Sequence, residues 1–227
     1  MMKQFAVIGL GTFGSAVARA LYDMDQEVLA IDSSAELVDD IRDEVTQAIQ
    51  ANPADEEALE ALGLRNFDVV VVAIGNDIQT SILVSLLCKD MGVPFLVARA
   101  RNELHAKVLS KIGVDKVIFP ERDMGVRMAH SLVSSNILDI IELSPDYSLV
   151  EVAVPVAWSG KTLKELNMRA VYGLNAIAIR RDKVTHISPE PNDMLKLGDT
   201  VTVVGTNDSI HRLETKFGAQ TRPSRLS

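Results

Sequence analysis

Three glycines near the start of the chain have the spacing of a phosphate-binding turn. The segment Gly9-Leu10-Gly11-Thr12-Phe13-Gly14 follows a short apolar run that predicts a buried strand, and the residues after it predict a helix. In such a turn the first glycine permits a tight bend, the second lets the backbone approach a diphosphate, and the third lets the helix pack on the strand. The helix amino terminus then offers free N–H groups to the phosphate. This context predicts a nucleotide site.

An acidic residue stands where such a site needs one. Asp32 ends the second predicted strand, about 20 residues beyond the glycine turn, which is the usual spacing of a ribose-binding carboxylate. Its charge would accept hydrogen bonds from ribose hydroxyls and repel a 2′-phosphate, so NADP is disfavoured. The alternative is a purely structural glycine turn, with Asp32 capping the next helix.

Groups for acid–base chemistry are missing from the pattern. Hydride transfer needs a placed proton donor or acceptor, but none of the three tyrosines is followed four residues later by Lys, and the four histidines are scattered. We therefore predict no catalytic residues and no enzyme. Two alternatives stay open: an NAD-dependent oxidoreductase or NAD(H)-binding sensor, and a free-standing signalling protein that binds a nucleotide.

The elements that position these residues alternate between strand and helix as far as Pro120. This order predicts an α/β fold, a Rossmann-like doubly wound parallel sheet. A long helix is predicted from Arg122 to Ile141, ended by Ser144-Pro145-Asp146. Short strands around a small helix then predict a compact α+β domain. We expect a nucleotide-binding domain over residues 1–138 that includes the long helix, a second domain over 139–218, and a tail over 219–227.

Composition limits the classes of partner. The net charge of −8 and pI near 5.0 argue against nucleic acid, which requires clustered Lys and Arg. The longest apolar runs, such as Val69–Ile74, are far shorter than the roughly 18 residues of a membrane span. The single cysteine, Cys88, fits a reducing compartment. We expect a cytoplasmic protein without direct membrane insertion, which reaches a membrane only through a partner.

Several further stretches resemble one family. The chain resembles the RCK (regulator of K⁺ conductance) proteins of bacterial Ktr and Trk potassium uptake systems, and the Ktr type most. Besides the glycine turn, the resemblance is carried by Leu64–Asp68, Val72–Gln79, Lys111–Asp115 and Pro120–Gly125, and in the second domain by Leu163–Leu166, Arg169–Gly173 and Leu197–Asp199.

The resemblance implies a cytoplasmic subunit that gates an integral-membrane K⁺ transporter, assembled as homodimers in an octameric ring. Adenine nucleotides would bind the first domain, with ATP favouring activity and ADP the inactive ring; NAD or NADH is the alternative ligand. The long helix would exchange between dimer partners. The implied nucleotide contacts are Gly9, Leu10, Gly11, Thr12, Phe13, Gly14, Asp32, Ser33, Asn52, Ile74, Gly75 and Arg99.

One position departs from the family pattern. Close relatives carry Arg where this chain has Thr12, and that Arg helps to hold the terminal phosphates. Arg99 is the remaining candidate phosphate partner, because a guanidinium can pair bidentately with phosphate. The resemblance also implies that Glu121 binds Mg²⁺ or Ca²⁺ near the phosphates. The alternative for Glu121 is a carboxylate favoured by a helix amino terminus.

The second domain resembles one that binds cyclic di-AMP across a dimer interface in some Ktr proteins. In the alternative interpretation, Arg169 and Asn175 only hold the turn before a strand. The implied ligand contacts are Leu166, Arg169, Ala170, Asn175, Ile177 and Pro191.

Overall fold

The computed structural model describes residues 2–133 and 137–217. Its contacts divide the chain into two compact units, one ending at Glu121 and the other beginning at Arg122. The predicted tail, residues 219–227, lies outside the described residues. The expected boundary between the two domains, at residues 138 and 139, stays a prediction.

The first unit is the doubly wound parallel sheet that the sequence predicts. Its six strands lie in the order β3-β2-β1-β4-β5-β6, all parallel. In chain order the elements are β1 (Gln4–Ile8), α1 (Thr12–Asp23), β2 (Glu27–Asp32), α2 (Ala35–Ile41), β3 (Gln47–Gln50), α3 (Glu56–Ala61), β4 (Val69–Val72), α4 (Ile78–Asp90), β5 (Leu96–Arg99), α5 (Glu103–Ile112) and β6 (Lys116–Ile118), with short 3₁₀ turns at Arg42–Glu44 and Leu64–Asn66.

Both faces of this sheet are buried, which explains why its central strands lack alternation. Along β4, Val70 and Val72 pack into one cluster with α4 and α5, while Val71 packs into a second cluster with α1 and α2. Successive strand side chains point to opposite faces, so a strand covered on both sides has to be apolar at every position. The four valines of β4 therefore fix the centre of the sheet.

The second unit is built on an antiparallel sheet of five strands in the order β10-β9-β11-β8-β7. Its only tryptophan, Trp158, is fully buried and donates its Nε1–H to the Tyr172 hydroxyl over 3.0 Å. The elements are β7 (Ile137–Ser144), β8 (Tyr147–Ala153), α7 (Leu163–Leu166), α8 (Met168–Tyr172), β9 (Leu174–Arg181), β10 (Val184–Ile187), β11 (Thr200–Thr206) and α9 (Asn207–Phe217), and α6 (Pro120–Val133) precedes them across the boundary.

The prediction of one helix from Arg122 to Ile141 is wrong. Helix α6 ends at Val133, and β7 begins at Ile137 and pairs antiparallel with β8. The connection is the two-residue turn Pro145-Asp146, which brings two apolar segments into a hairpin. Cross-strand pairing with β8 outweighs the local helical preference of Ile137–Ile141.

Within residues 2–133 and 137–217, no helix is both long and apolar enough to cross a bilayer.

Candidate functional site

The carboxyl ends of the parallel strands bring the predicted nucleotide contacts to one edge of the first unit. Strands β1 and β4 are neighbours whose connections leave in opposite directions, so the crevice between them is the switch point where open α/β sheets bind ligands. At this edge, Gly9 follows β1, Asp32 ends β2, Asn52 follows β3, Ile74 and Gly75 follow β4, Arg99 ends β5, and Glu121 follows β6.

The three glycines of the turn have different surroundings. Gly9 has φ +95°, and a Cβ there would lie 3.0 Å from Ile74 Cγ1. A Cβ on Gly14 would lie 1.8 Å from the Gly9 carbonyl oxygen, so the helix can approach the strand only without a side chain. A Cβ on Gly11 would meet no protein atom within 4 Å. The middle glycine therefore borders open space at the start of α1, where Thr12 is exposed and Phe13 packs against the core.

Asp32 is tied directly to the glycine turn. Its Oδ2 accepts a hydrogen bond from the Leu10 backbone N–H over 2.7 Å, and its Oδ1 accepts from the Ser34 N–H over 2.8 Å. The exposed Ser33 hydroxyl lies 3.4 Å from the same Oδ1. A carboxylate has about four lone-pair positions, so these bonds orient it and leave acceptor capacity for a ligand hydroxyl.

On the other side of the crevice, Gly75 makes room for the Arg99 side chain. A Cβ on Gly75 would lie 2.2 Å from Arg99 Nη1. The guanidinium in turn pairs with Glu121, through Nη2 to Oε1 and through Nε to Oε2 at 3.3 Å. Arg99 is 18% exposed and Glu121 is 61% exposed. The two residues that the sequence assigns to phosphate and to metal thus bind each other.

Asn52 makes no hydrogen bond to the glycine turn or to Arg99 among those described. Gln50, which the sequence did not single out, does support the site. The Asn52 side chain is exposed and accepts from the Ala54 N–H over 3.1 Å. Gln50, at the end of β3, donates its Nε2–H to the Ser33 carbonyl over 3.0 Å. Gln50 therefore holds the loop after Asp32; a polar residue ending a strand beside the acid is the pattern that could have revealed it.

Three titratable groups on or beside helices α4 and α5 have shifted pKa values. Burial raises the pKa of the Cys88 thiol to about 12, which keeps it protonated. Burial also lowers the pKa of His105, whose Nδ1 accepts from the Arg101 N–H over 3.3 Å. Hydrogen bonds from Thr80 lower the pKa of Asp77, a helix cap of α4. These groups serve packing and capping.

Protein oxygens suited to a metal do not converge at Glu121. Across the described ranges 2–133 and 137–217, no three or more His, Cys, Asp or Glu side chains come together as ligands. A hard divalent cation needs several oxygens, so any metal at Glu121 must take most of them from ligand phosphates, waters or a second copy of the chain.

In the second unit, half of the predicted cyclic di-AMP contacts line one cleft of about 360 Å³. Arg169, Asn175 and Pro191 border it together with Asn167 and Pro189. The other three lie elsewhere: Leu166 is buried in the core, and Ala170 and Ile177 are exposed outside this cleft.

Comparison with known proteins agrees with this architecture. A family model described as the TrkA-N domain matches residues 5–120, and one described as the TrkA-C domain matches residues 148–218. Ktr system potassium uptake protein C of Bacillus subtilis is 44% identical over 94% of this chain and 97% of its own. Ktr system potassium uptake protein A is 43% identical in B. subtilis, over 93% and 96% of the two chains, and 38% identical in Vibrio alginolyticus, over 92% and 94%.

Solved structures share the fold. The GsuK RCK domain has a TM-score of 0.52 at 24% identity, over 96% of this chain and 47% of its own, and structures of GsuK bound to NAD and to ADP have the same TM-score. The TrkA-N domain of the Escherichia coli inner membrane protein ybaL also scores 0.52 at 21% identity, over 58% of this chain and 98% of its own. The chain therefore belongs to the family of TrkA-N and TrkA-C domain proteins that includes the Ktr system potassium uptake proteins.

Proposed function

We propose that this protein is a cytoplasmic regulatory subunit that gates a K⁺ uptake transporter, and that adenine nucleotide bound at the carboxyl edge of the parallel sheet sets its state. The observation that carries the nucleotide site is a set of adjoining contacts along the strand ends: Asp32 bonds the Leu10 N–H, Gly9 lies against Ile74, and the next residue, Gly75, lies against Arg99. Identity of 38–44% to Ktr potassium uptake proteins supports the transport role.

ATP and ADP are the ligands that we propose first. The ribose would lie at Asp32, the first phosphates would lie over Gly11 at the amino terminus of α1, and the last phosphate would reach Arg99. Open space at Gly11 supports the middle step, because backbone N–H groups and a partial positive charge favour a phosphate there. The protein has no catalytic role in this proposal.

NAD or NADH is the second candidate ligand. Thr12 supplies only a hydroxyl at the start of α1, which weakens the case for a triphosphate, and GsuK, which shares the fold, binds both NAD and ADP. Asp32 suits the adenosine ribose of either ligand class. A titration that compares the ligands separates them, since NADH presents a neutral dihydronicotinamide riboside where ATP presents its anionic terminal phosphate.

Calorimetric titration of the full chain with ATP, ADP and NADH tests the site. Replacing Asp32 by Ala removes a charged acceptor and should weaken nucleotide binding by about 1.5–3 kcal/mol, roughly tenfold to a hundredfold. Asp90→Ala, an exposed acid at the end of α4, is the control and should bind like wild type. Equal affinity in wild type and Asp32→Ala would remove Asp32 from the site.

The partner is proposed to be an integral-membrane subunit of the Ktr or Trk type, beneath which homodimers form an octameric ring. Co-purification of tagged full-length chain with the membrane subunit, followed by K⁺ uptake in cells lacking other uptake systems, tests this. Uptake should require the chain. Unchanged uptake without it would exclude the gating role while leaving nucleotide binding intact.

A divalent cation, Mg²⁺ or Ca²⁺, is proposed to bind between Glu121 and the nucleotide phosphates. Carboxylate and phosphate oxygens are the ligands that these ions prefer. Because Glu121 pairs with Arg99 in the structure, the metal site would form only with the nucleotide present.

Cyclic di-AMP is proposed as a second ligand, in the cleft of the second unit. Arg169 supplies a cation for a phosphate, and Asn175 and Pro191 line the same cleft. Titration of the full chain should saturate at one cyclic di-AMP per dimer, and Arg169→Ala should bind at least tenfold more weakly, the loss of one charge-assisted contact. Lys183→Ala, on an exposed turn, is the control. Saturation at one ligand per chain, or no heat, contradicts the proposal.

A further inference from the structure

The Arg99–Glu121 pair places a carboxylate on the group expected to bind phosphate. Arg99 presents its Nε and Nη2 edge to both Glu121 oxygens, while Nη1 is the guanidinium nitrogen nearest to Gly75. A guanidinium binds phosphate most strongly through two parallel N–H groups of one edge. One of the edges that could bind a phosphate bidentately is therefore already occupied by a side chain of the same protein.

We infer that Glu121 is a selectivity residue of this site: its carboxylate competes with ligand phosphates for Arg99 and so lowers the affinity for phosphorylated ligands relative to their unphosphorylated nucleoside. The inference rests on the proposed nucleotide site and deepens it.

The difference in burial between Arg99 and Glu121 determines which of the two side chains moves when a phosphate binds. The Arg99 side chain is 18% exposed and is held over the Gly75 backbone, whereas Glu121 is 61% exposed in the first turn of α6. Moving a mostly exposed carboxylate into water costs little, because exposed ion pairs contribute only about 0.2–1 kcal/mol. An arriving phosphate should therefore displace Glu121 and leave Arg99 in place.

The competition also has a charge component. While Glu121 is paired, the Arg99–Glu121 pair itself carries no net charge, since one carboxylate cancels one guanidinium. A ligand phosphate can pair with Arg99 only by displacing the Glu121 carboxylate. Adenosine has no phosphate, so its binding free energy does not depend on this pair.

The test is titration of metal-free full-length protein, in chelator, with adenosine, ADP and ATP. Glu121→Gln removes the competing charge and keeps the side-chain shape. We expect ADP and ATP to bind about two- to fivefold more tightly to this variant, and adenosine to bind as it does to wild type. Glu60→Gln, an exposed glutamate near the end of α3 where the chain turns back towards β4, is the matched control and should change nothing.

A second variant separates competition from simple repulsion. Arg99→Gln should weaken ADP but not adenosine, and adding Glu121→Gln to it should give no further gain, because residues that act through one contact are non-additive. If the gain persists without Arg99, Glu121 merely repels phosphate and the inference is wrong. If Glu121→Gln leaves ADP and ATP affinity unchanged in chelator, there is no competition. If wild type binds none of the three ligands, the proposed nucleotide site itself fails, and the inference with it.

Discussion

The glycine turn shows how two residues of one type can have separate roles. Gly14 is required by the fold, because its missing side chain lets α1 lie against the Gly9 carbonyl. Gly11 is not required by the fold, since a side chain there would meet no protein atom. Its backbone, at φ −65° and ψ −177°, is one that alanine adopts without strain. Packing therefore does not require glycine at position 11, and besides its place as the N-cap of α1, the approach of a phosphate is the proposed reason for it.

This difference predicts different outcomes for two alanine substitutions. Gly14→Ala should destabilise the first unit by about 3 kcal/mol, because neither the helix nor the carbonyl can move far. Gly11→Ala should cost less, about 1 kcal/mol at most, because alanine is a poorer N-cap than glycine, yet it should weaken nucleotide binding roughly tenfold or more by blocking the approach of a phosphate. Thermal unfolding by circular dichroism and calorimetric titration measure the two effects. A Gly11→Ala protein with wild-type affinity would place the phosphates elsewhere.

Individual site residues could be predicted where a local pattern defines them, but not where a distant partner does. The glycine spacing and Asp32 follow from one strand, one turn and the end of the next strand. The bond from the Leu10 N–H to Asp32 and the pairing of Arg99 with Glu121 each join residues 22 positions apart. They depend on which strand ends become neighbours in the sheet, and no sequence period encodes that choice.

At the scale of elements, the parallel sheet was predictable and the start of the second unit was not. Strands buried on both faces have continuous apolar runs, so β1 and β4 stand out. By contrast, Ile137–Ser144 alternates irregularly between buried and exposed positions, and its apolar residues also suit a helix. The hairpin with β8 makes it a strand. Helices α8 and α9 were also not predicted. Five residues are too few for α8 to show a helical period, whereas the spacing of Ile210, Leu213 and Phe217 could have predicted α9.

The loop before β11 is held by an ion pair that makes the stability of the second unit depend on pH. Asp199, whose side chain is 3% exposed, accepts from Arg181 Nε over 2.8 Å, from Nη2 over 2.6 Å and from the Lys196 N–H over 2.8 Å. The Arg181 hydrogen bonds hold the pKa of Asp199 below its ordinary value of 3.8, against the opposing effect of burial. Arg181 also donates to the Met194 carbonyl, so the pair fixes the whole loop.

A carboxylate with a lowered folded pKa contributes stability that is fully present above the unfolded pKa and is lost as pH falls through the folded value. At pH 7, Asp199→Asn should therefore lower the free energy of unfolding by about 2 kcal/mol. The difference in unfolding free energy between the variant and wild type should become smaller below about pH 4. Fluorescence of Trp158, the single tryptophan, reports unfolding of this unit alone. Asp90→Asn in the other unit is the control. If the difference in unfolding free energy between Asp199→Asn and wild type is the same at pH 7 and pH 3, Asp199 acts by its shape and not by its charge.

At the scale of the whole molecule, a nucleotide can switch the protein only through different affinities for its two states. If ATP and ADP are to act oppositely, some group must distinguish the terminal phosphate that ADP lacks. Thr12 carries no charge, which leaves Arg99 and a metal held by Glu121. A phosphate reaches Arg99 only by displacing Glu121, whereas a metal bound to Glu121 adds positive charge at this end of the crevice. A cation between Glu121 and the phosphates would also draw that carboxylate away from Arg99.

We therefore expect Mg²⁺ or Ca²⁺ to tighten ATP binding more than ADP binding, and Glu121→Gln to erase that difference while still binding both nucleotides. Titrations of the full chain with each nucleotide, with and without metal, measure the ratio of the two affinities; Glu60→Gln should behave like wild type throughout. An unchanged ratio on adding metal to wild type would show that no metal distinguishes the terminal phosphate. If Arg99→Gln also leaves the ratio of ATP to ADP affinity unchanged, neither Arg99 nor a metal ion distinguishes the terminal phosphate. The protein is then no ATP/ADP switch, and NADH, whose nicotinamide would lie at this end of the crevice, becomes the ligand whose binding should change K⁺ uptake.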